Sequence, residues 1–419
     1  MVAGTGLQKA QRRIGLGYGE PAPQPYVRTI EQKRAPFGGL GGRYALVCFF
    51  GGLALPMAQQ AVQHMLTRLA VNPKLNDWNE HALVAVSSHP SDPQQPLFAE
   101  LSRRMLVILD HDQALLRAWN LAHARPDGLL DVSACWYLLD PNLRVLANWP
   151  LHQAEAALDA FAVLGPAAEH AGVPLFAPAL LVPRVFEPDF CRRLIAEYEA
   201  HGGEVSGVTK EIAGRTEVLD IPDFKRRRDY ILRDEGLRTE VRARLQLRLL
   251  PEISRAFNFD CTRLERYVVA CYEKQDGGFF KPHRDNTTKG TAHRRFAVTI
   301  NLNADDYEGG DLRFPEYGNT LYRAPTGGAV VFSCSLLHEA LPVTMGRRYA
   351  FLPFLYDEAA SDLRENNSRF LGESIARLPG QGAQPPEGES EPDPELDSGL
   401  EPGQQSGQQS IADGASPDE

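Results

Sequence analysis

Two histidines and an aspartate, His283, Asp285 and His338, followed ten residues after the last by Arg348, carry the residue types of a metal site with an anion anchor beside it. A His-x-Asp pair and a distant second His supply one face of an octahedral ion and leave the other positions open, which suits non-haem Fe(II) and oxygen chemistry. The spacing has a physical reason. Residues i and i+2 of a strand project to the same side, so in Lys281-Pro-His-Arg-Asp-Asn286 the His283 imidazole and the Asp285 carboxylate can meet one ion while Arg284 points away. The long interval before His338 leaves room for several strands that return the third ligand across a barrel. Beyond it, Leu341-Pro342-Val343 and Gly346 mark a bend, and 347–354 reads as a last strand with Arg348, Ala350, Leu352 and Phe354 on one face and Arg347 on the other. A guanidinium is permanently charged and forks onto a carboxylate, so an arginine facing the metal can hold the far end of a dicarboxylate.

A His-x-Asp triplet is common by itself, and a lone later His is more often packed than ligating. The neighbours change that balance. From Arg263 to Asp357 the chain reads RYVVACYEKQDGGFFKPHRDN, HRRFAVTINLN, YEGGDLRFPEYG and GGAVVFSCSLLHEALPVTMGRRYAFLPFLYD, and this stretch resembles the prolyl 4-hydroxylase-like branch of the Fe(II)/2-oxoglutarate oxygenases almost from end to end. The resemblance implies a double-stranded β-helix (jelly-roll) of α+β class, with His283, Asp285 and His338 as iron ligands and Arg348 as partner of the 2-oxoglutarate C5 carboxylate. It places Tyr272, in Ala270-Cys-Tyr272, on the same carboxylate. Some relatives carry a second tyrosine where this chain has Asn301, whose amide can still donate. Thr299 and Asn301 share one face of their strand, Val298, Ile300 and Leu302 the other; the polar face is either a pocket wall or a solvent face. Halogenating relatives have a small residue in place of the aspartate, so Asp285 implies hydroxylation. The expected co-substrates are 2-oxoglutarate, converted to succinate and CO₂, and O₂, with ascorbate as reductant. The substrate can be peptidyl proline, another protein side chain or a small molecule.

The chain is too long for a single core and divides by composition. Residues 378–419 contain no Lys or Arg and ten acids among many Pro, Gly, Ser and Gln, a composition that predicts disorder. Those ten acids equal the excess of 54 acidic over 44 basic residues, so the body is close to neutral. The oxygenase unit is expected over 174–360, opening with a strand at 180–186, a helix at 188–198 and a second helix within 237–257. The basic run Phe224-Lys-Arg-Arg-Arg-Asp229 is expected to be a solvated face, since its aromatic interleaving is too sparse for nucleic acid.

A flexible N-terminus is expected over 1–24. Over 25–165, strands near 43–50, 82–86, 105–109 and 135–140 alternate with a helix at 57–69 and resemble a thioredoxin-like or peroxiredoxin α/β domain. That family's chemistry needs a thiolate after the first strand. Here the loop is Gly51-Gly-Leu-Ala54-Leu-Pro56-Met57, with Ala54 and Met57 where a Cys-x-x-Cys pair would stand. The domain is therefore expected to be redox-inactive and to offer a scaffold or a docking surface for a protein partner. The six cysteines form no CxxC and fit reduced thiols in a cytoplasmic protein. No secretory signal or membrane span is legible. Two functions fit: an iron-dependent hydroxylase, or a non-catalytic, iron- or oxygen-responsive scaffold acting through its first domain.

Overall fold

In the computed structural model, residues 14–31, 34–125 and 130–372 are described. The acidic tail at 378–419 and the first part of the expected N-terminal segment lie outside them.

The strand Tyr44–Gly51 is almost entirely apolar because both its faces are covered. Tyr44, Leu46, Cys48 and Phe50 face helices Pro56–Val71, Pro96–Arg104 and Ala154–Ala162. Ala45, Val47 and Phe49 face the layer built by Leu115, Leu116 and Trp119. This strand pairs in parallel with His81–Ser87, which pairs in parallel with Leu106–Leu109. On its other side it runs antiparallel to Cys135–Leu139, followed by Val145–Pro150. Tyr26–Thr29 and Arg34–Pro36 complete the far edge of this seven-stranded, thioredoxin-like sheet.

Residues 14–24 depart from the expectation of a flexible end. Gly15 and Ala22 bond through their backbone N–H groups to Asn120 and Leu143, and Ala22 is buried against the sheet, so the unit begins before residue 25.

No cysteine lies within Gly51–Pro56, and the six thiols are free. Cys48 is fully buried in its strand, and burial pushes its thiol well above the ordinary range and that of Cys135 up to about 12. Thiols held protonated are poor nucleophiles. Peroxide consumption with a thiol donor should therefore stay at the uncatalysed background, and a catalysed rate would contradict an inert domain.

The second unit is a double-stranded β-helix. Its larger sheet runs Ala179–Val182, Ala329–Ser333, Phe296–Asn301, Val343–Phe351, Val268–Glu273, Arg228–Ile231 and Glu204–Val205. Helices Pro188–His201, Glu235–Arg248 and Leu250–Phe257 cover its outer face. Leu249 and Pro251 divide what the sequence presents as one helix into two. The smaller sheet runs Lys225–Arg226, Phe279–His283, His338–Ala340, Leu312–Arg313 and Leu321–Tyr322. A second apolar cluster, with Phe314, Phe332, Ala340 and Ala350, fills the space between the sheets. The unit continues past residue 360 through helix Glu358–Asn367. Among the described residues, no helix is long and apolar enough to cross a membrane.

The two units meet beside the smaller sheet. Arg284 pairs with Glu316 at 2.7 Å and donates to the Gly38 carbonyl at 3.3 Å. Arg34 pairs with Glu211 at 2.8 Å, and the Tyr26 hydroxyl donates to the Thr287 carbonyl. Arg284, one residue past the end of strand Phe279–His283, thus points away from the ligand pair and joins the units.

Candidate metal and co-substrate site

Two pairs of neighbouring strands build the site, one pair from each sheet. On the smaller sheet His283 and His338 are direct cross-strand partners. On the larger sheet Tyr272 and Arg348 are direct partners. Sheet register therefore sets both pairs opposite one another.

His283 Nδ1 lies 2.7 Å from the Lys281 carbonyl and His338 Nδ1 lies 3.0 Å from the Leu336 carbonyl. A carbonyl only accepts, so each Nδ1 carries a proton and each Nε2 presents a lone pair. Those lone pairs converge on Asp285, with His283 Nε2 at 3.5 Å and His338 Nε2 at 3.3 Å from its two oxygens. One ligand atom from each of the three lies within 4.8 Å of the others. Phe280 stacks on His283 at 3.5 Å between ring centroids, and Phe332 lies 4.6 Å from His338. Burial and the neighbouring His338 lower the His283 imidazole to about 4, which keeps it neutral and ready to ligate. Burial works against the Asp285 carboxylate, and only imidazoles that carry a proton on Nε2 would hold it well below the ordinary range. Three anchored donors of this kind fit a divalent ion with octahedral demand.

Arg348 is 2% exposed and makes no ion pair among the described residues; its Nε has no hydrogen-bond partner. Its Cζ lies 5.0 Å from the Tyr272 ring. Gly310 allows this placement: its φ is +67° and an added Cβ would lie 3.0 Å from Arg348 Cδ. Asn303 fixes the strand, donating to the Arg347 carbonyl and accepting from the Tyr349 N–H, both at 2.9 Å. A buried cation without a counter-charge is costly, so this guanidinium is poised for an anion.

Thr299 lines the same cavity as Arg348, whereas Asn301 does not. Asn301 is 2% exposed and its amide donates to the Ala324 carbonyl at 2.7 Å. The structure thus brings His283, Asp285, His338, Arg348, Tyr272 and Thr299 together and spends Asn301 on a loop.

The basic run does not form the expected solvated face. Lys225 and Arg227 are 6% and 8% exposed and line the cavity, while Arg226 and Arg228 point outward. Strand alternation divides the run. Arg227 pairs with Asp229 at 2.6 Å and reaches the Tyr272 hydroxyl at 3.4 Å. A period of two within 225–228 was the available signal.

A further network went unread in the sequence. Glu265 accepts from His293 at 2.8 Å and pairs with Arg294 at 2.5 Å, all three buried. Arg294 also donates to the Asp285 backbone carbonyl at 3.4 Å, tying this network to the ligand loop. Glu265→Ala leaves Arg294 buried without its carboxylate and is expected to cost about 3–5 kcal/mol. Denaturant unfolding measures it, and a loss under about 1 kcal/mol would contradict the network's role.

The site lies at the floor of a cavity of about 1740 Å³ whose walls come from both units, including Tyr26, Phe37 and Trp78 from the first.

Residues 267–356 match the 2OG-Fe(II) oxygenase superfamily. A PKHD-type hydroxylase of Shewanella sp. strain MR-4 is 26% identical over 216 residues, 49% of this chain and 90% of that protein. A PKHD-type hydroxylase of Maricaulis maris is 36% identical over 90 residues, 21% of this chain and 40% of that protein. Among solved structures, a Pseudomonas putida prolyl-4-hydroxylase is similar to 43% of this chain over 94% of its own length, at 20% identity and a TM-score of 0.34. Peroxiredoxin Q of Xanthomonas campestris is similar to 33% of this chain over 89% of its own length, at 16% identity and a TM-score of 0.28.

Proposed function

We propose, for a chain whose C-terminal half carries a 2OG-Fe(II) oxygenase domain, that the protein is an Fe(II)- and 2-oxoglutarate-dependent hydroxylase whose substrate enters the cavity between the two units. The observation that carries this reading is the facing of His283 and His338, with Asp285, by an Arg348 that no carboxylate among the described residues neutralises. His283 Nε2, His338 Nε2 and the Asp285 carboxylate would hold the iron, with Arg348 and Tyr272 on the C5 carboxylate of 2-oxoglutarate and Thr299 beside it. Bound iron would supply the activation of O₂ that couples oxidation of 2-oxoglutarate, to succinate and CO₂, with insertion of one oxygen atom into a substrate C–H bond.

The protein's own contribution is positional. The carbonyls of Lys281 and Leu336 hold the imidazoles in one tautomer and orientation. Phe280, Phe332 and Leu337 shield the ligands from water. Arg348 fixes the far end of the co-substrate and so the orientation of its reacting end. A scaffold without turnover gives Arg348 no physical task, which favours catalysis.

A peptidyl proline or another protein side chain is the first substrate class to try, a small molecule the second. Free, protonated thiols suit a reducing compartment such as the cytoplasm. Succinate release with Fe(II), 2-oxoglutarate and ascorbate, measured over proline-containing peptides and small molecules and joined to a search for a +16 Da product, tests the proposal. Turnover of 2-oxoglutarate that no substrate stimulates, with no oxidised product, would sink it.

A further inference from the structure

Ten lysine and arginine residues line the cavity between the units, against five aspartates and glutamates. Arg34, Arg227, Arg284 and Arg294 are paired with carboxylates. Arg28, Lys210, Lys225, Arg233, Arg266 and Arg348 have no ion pair among the described residues. Two of these stand out. Lys225 is buried and donates to the Ser206 hydroxyl and the Gly207 carbonyl; burial and Arg227 work against its charge, which a carboxylate placed beside it would restore. Arg266 holds a left-handed backbone with φ of 58°, has no partner for Nε, and sits 4.4 Å over the Phe354 ring. A divalent metal and a doubly charged co-substrate cancel one another, so their arrival leaves this positive excess in place.

The path of the chain supplies a counter-charge. The last described residues lie against a hairpin that helps to line the cavity. Gly372 donates to the Thr216 carbonyl at 2.9 Å, and Leu371 bridges Thr216 in parallel. Thr216 belongs to strand Arg215–Leu219, which with Val208–Ile212 forms the hairpin that contributes Val208, Lys210, Val218 and Leu219 to the lining. From that point 373–419 continues, with ten acids from Glu387 to Glu419 and no Lys or Arg after Arg377. An extended chain covers about 3.3 Å per residue, so Glu391 can lie up to about 60 Å from Gly372, several times the cavity's width. A tether of this kind holds its acids at an effective concentration of about millimolar.

We propose that the acidic segment 387–419 docks in cis in the cavity between the two units, its carboxylates against Lys210, Lys225 and Arg266, and competes there with incoming substrate. The segment is a built-in occupant of the site mouth. The docking depends on charge and tether alone, so it stands or falls independently of the hydroxylase reading.

The experiment uses the full chain without added metal. Zero-length carbodiimide coupling followed by mass spectrometry is expected to join Lys210 to carboxylates of 387–401 within monomers. A second arm compares the parent with a full chain carrying Glu387→Gln, Glu389→Gln, Glu391→Gln, Asp393→Asn, Glu395→Gln and Asp397→Asn. A labelled synthetic peptide of residues 387–402 should bind this neutralised chain at least tenfold tighter than the parent, because its site is vacated, and raising the salt should weaken that binding. Three results would overturn the proposal: no coupling to Lys210, coupling only between molecules, or equal peptide affinity for both chains. Peptide binding without intramolecular coupling would point to an acidic partner in trans.

Discussion

Asp285→Ala is expected to abolish succinate formation while the protein stays folded. Asp285 is the carboxylate that both imidazoles face, at 3.5 and 3.3 Å from its two oxygens. Without it two neutral nitrogens remain and no anionic donor, a set that holds a hard divalent ion poorly. Removing an outer partner of a metal ligand already costs about 10–100-fold, so loss of a ligand should exceed 100-fold in turnover and in retained iron. The fold should survive because the clusters on both faces of the larger sheet do not use Asp285. Far-UV circular dichroism and the melting temperature report the fold, and metal analysis of the dialysed protein reports the ligand. Retention of one iron per chain, or of more than a tenth of the parent turnover, would remove Asp285 from the ligand set.

The second large effect is expected at Arg348, with a sign that separates function from stability. Arg348→Met removes a desolvated cation that has no ion pair, so the ligand-free protein should be as stable as the parent or more so. Affinity for 2-oxoglutarate should fall sharply, since truncating one member of a buried charged pair costs about 2–5 kcal/mol, or about 30-fold to several thousand-fold. Arg348→Lys keeps the charge and loses the fork, so it should fall between the two. Thermal shift with and without 2-oxoglutarate measures both quantities. A melting temperature lowered by many degrees, with co-substrate binding unchanged, would make Arg348 a structural residue instead.

The residues that do the chemistry were legible because their spacing carries geometry. His283 closes its strand and Asp285 follows in the turn just beyond it, so the i, i+2 spacing brought the two together although the expected strand face ends at His283, while the period of two did put Arg348 with Ala350. It held even where Leu352 and Pro353 break the last strand in two, at Val343–Phe351 and Phe354–Tyr356. The missing thiol after the first strand was a plain absence in the sequence, and the buried, protonated cysteines agree with it. Lys225 and Arg227 differ from the expected solvated face because a run of like charges invites one reading for all its members, whereas the pleat turns every second one inward. Asn301 was overextended for a related reason. Strand alternation gave its face, but the Ala324 carbonyl that takes its amide comes from a loop with no sequence relation to it.

By itself, then, the sequence determined the two fold classes and named the candidate ligands, the candidate anion anchor and the loop without a cysteine, since each rests on residue type and on spacing within one element. The tertiary structure decided what depends on pairs distant along the chain: the register that sets His283 against His338 and Tyr272 against Arg348, the Glu265–Arg294 support beneath Asp285, and the closing of the cavity by the first unit. Local periodicity fixes the direction of a side chain, but only the packing of whole sheets brings its partner.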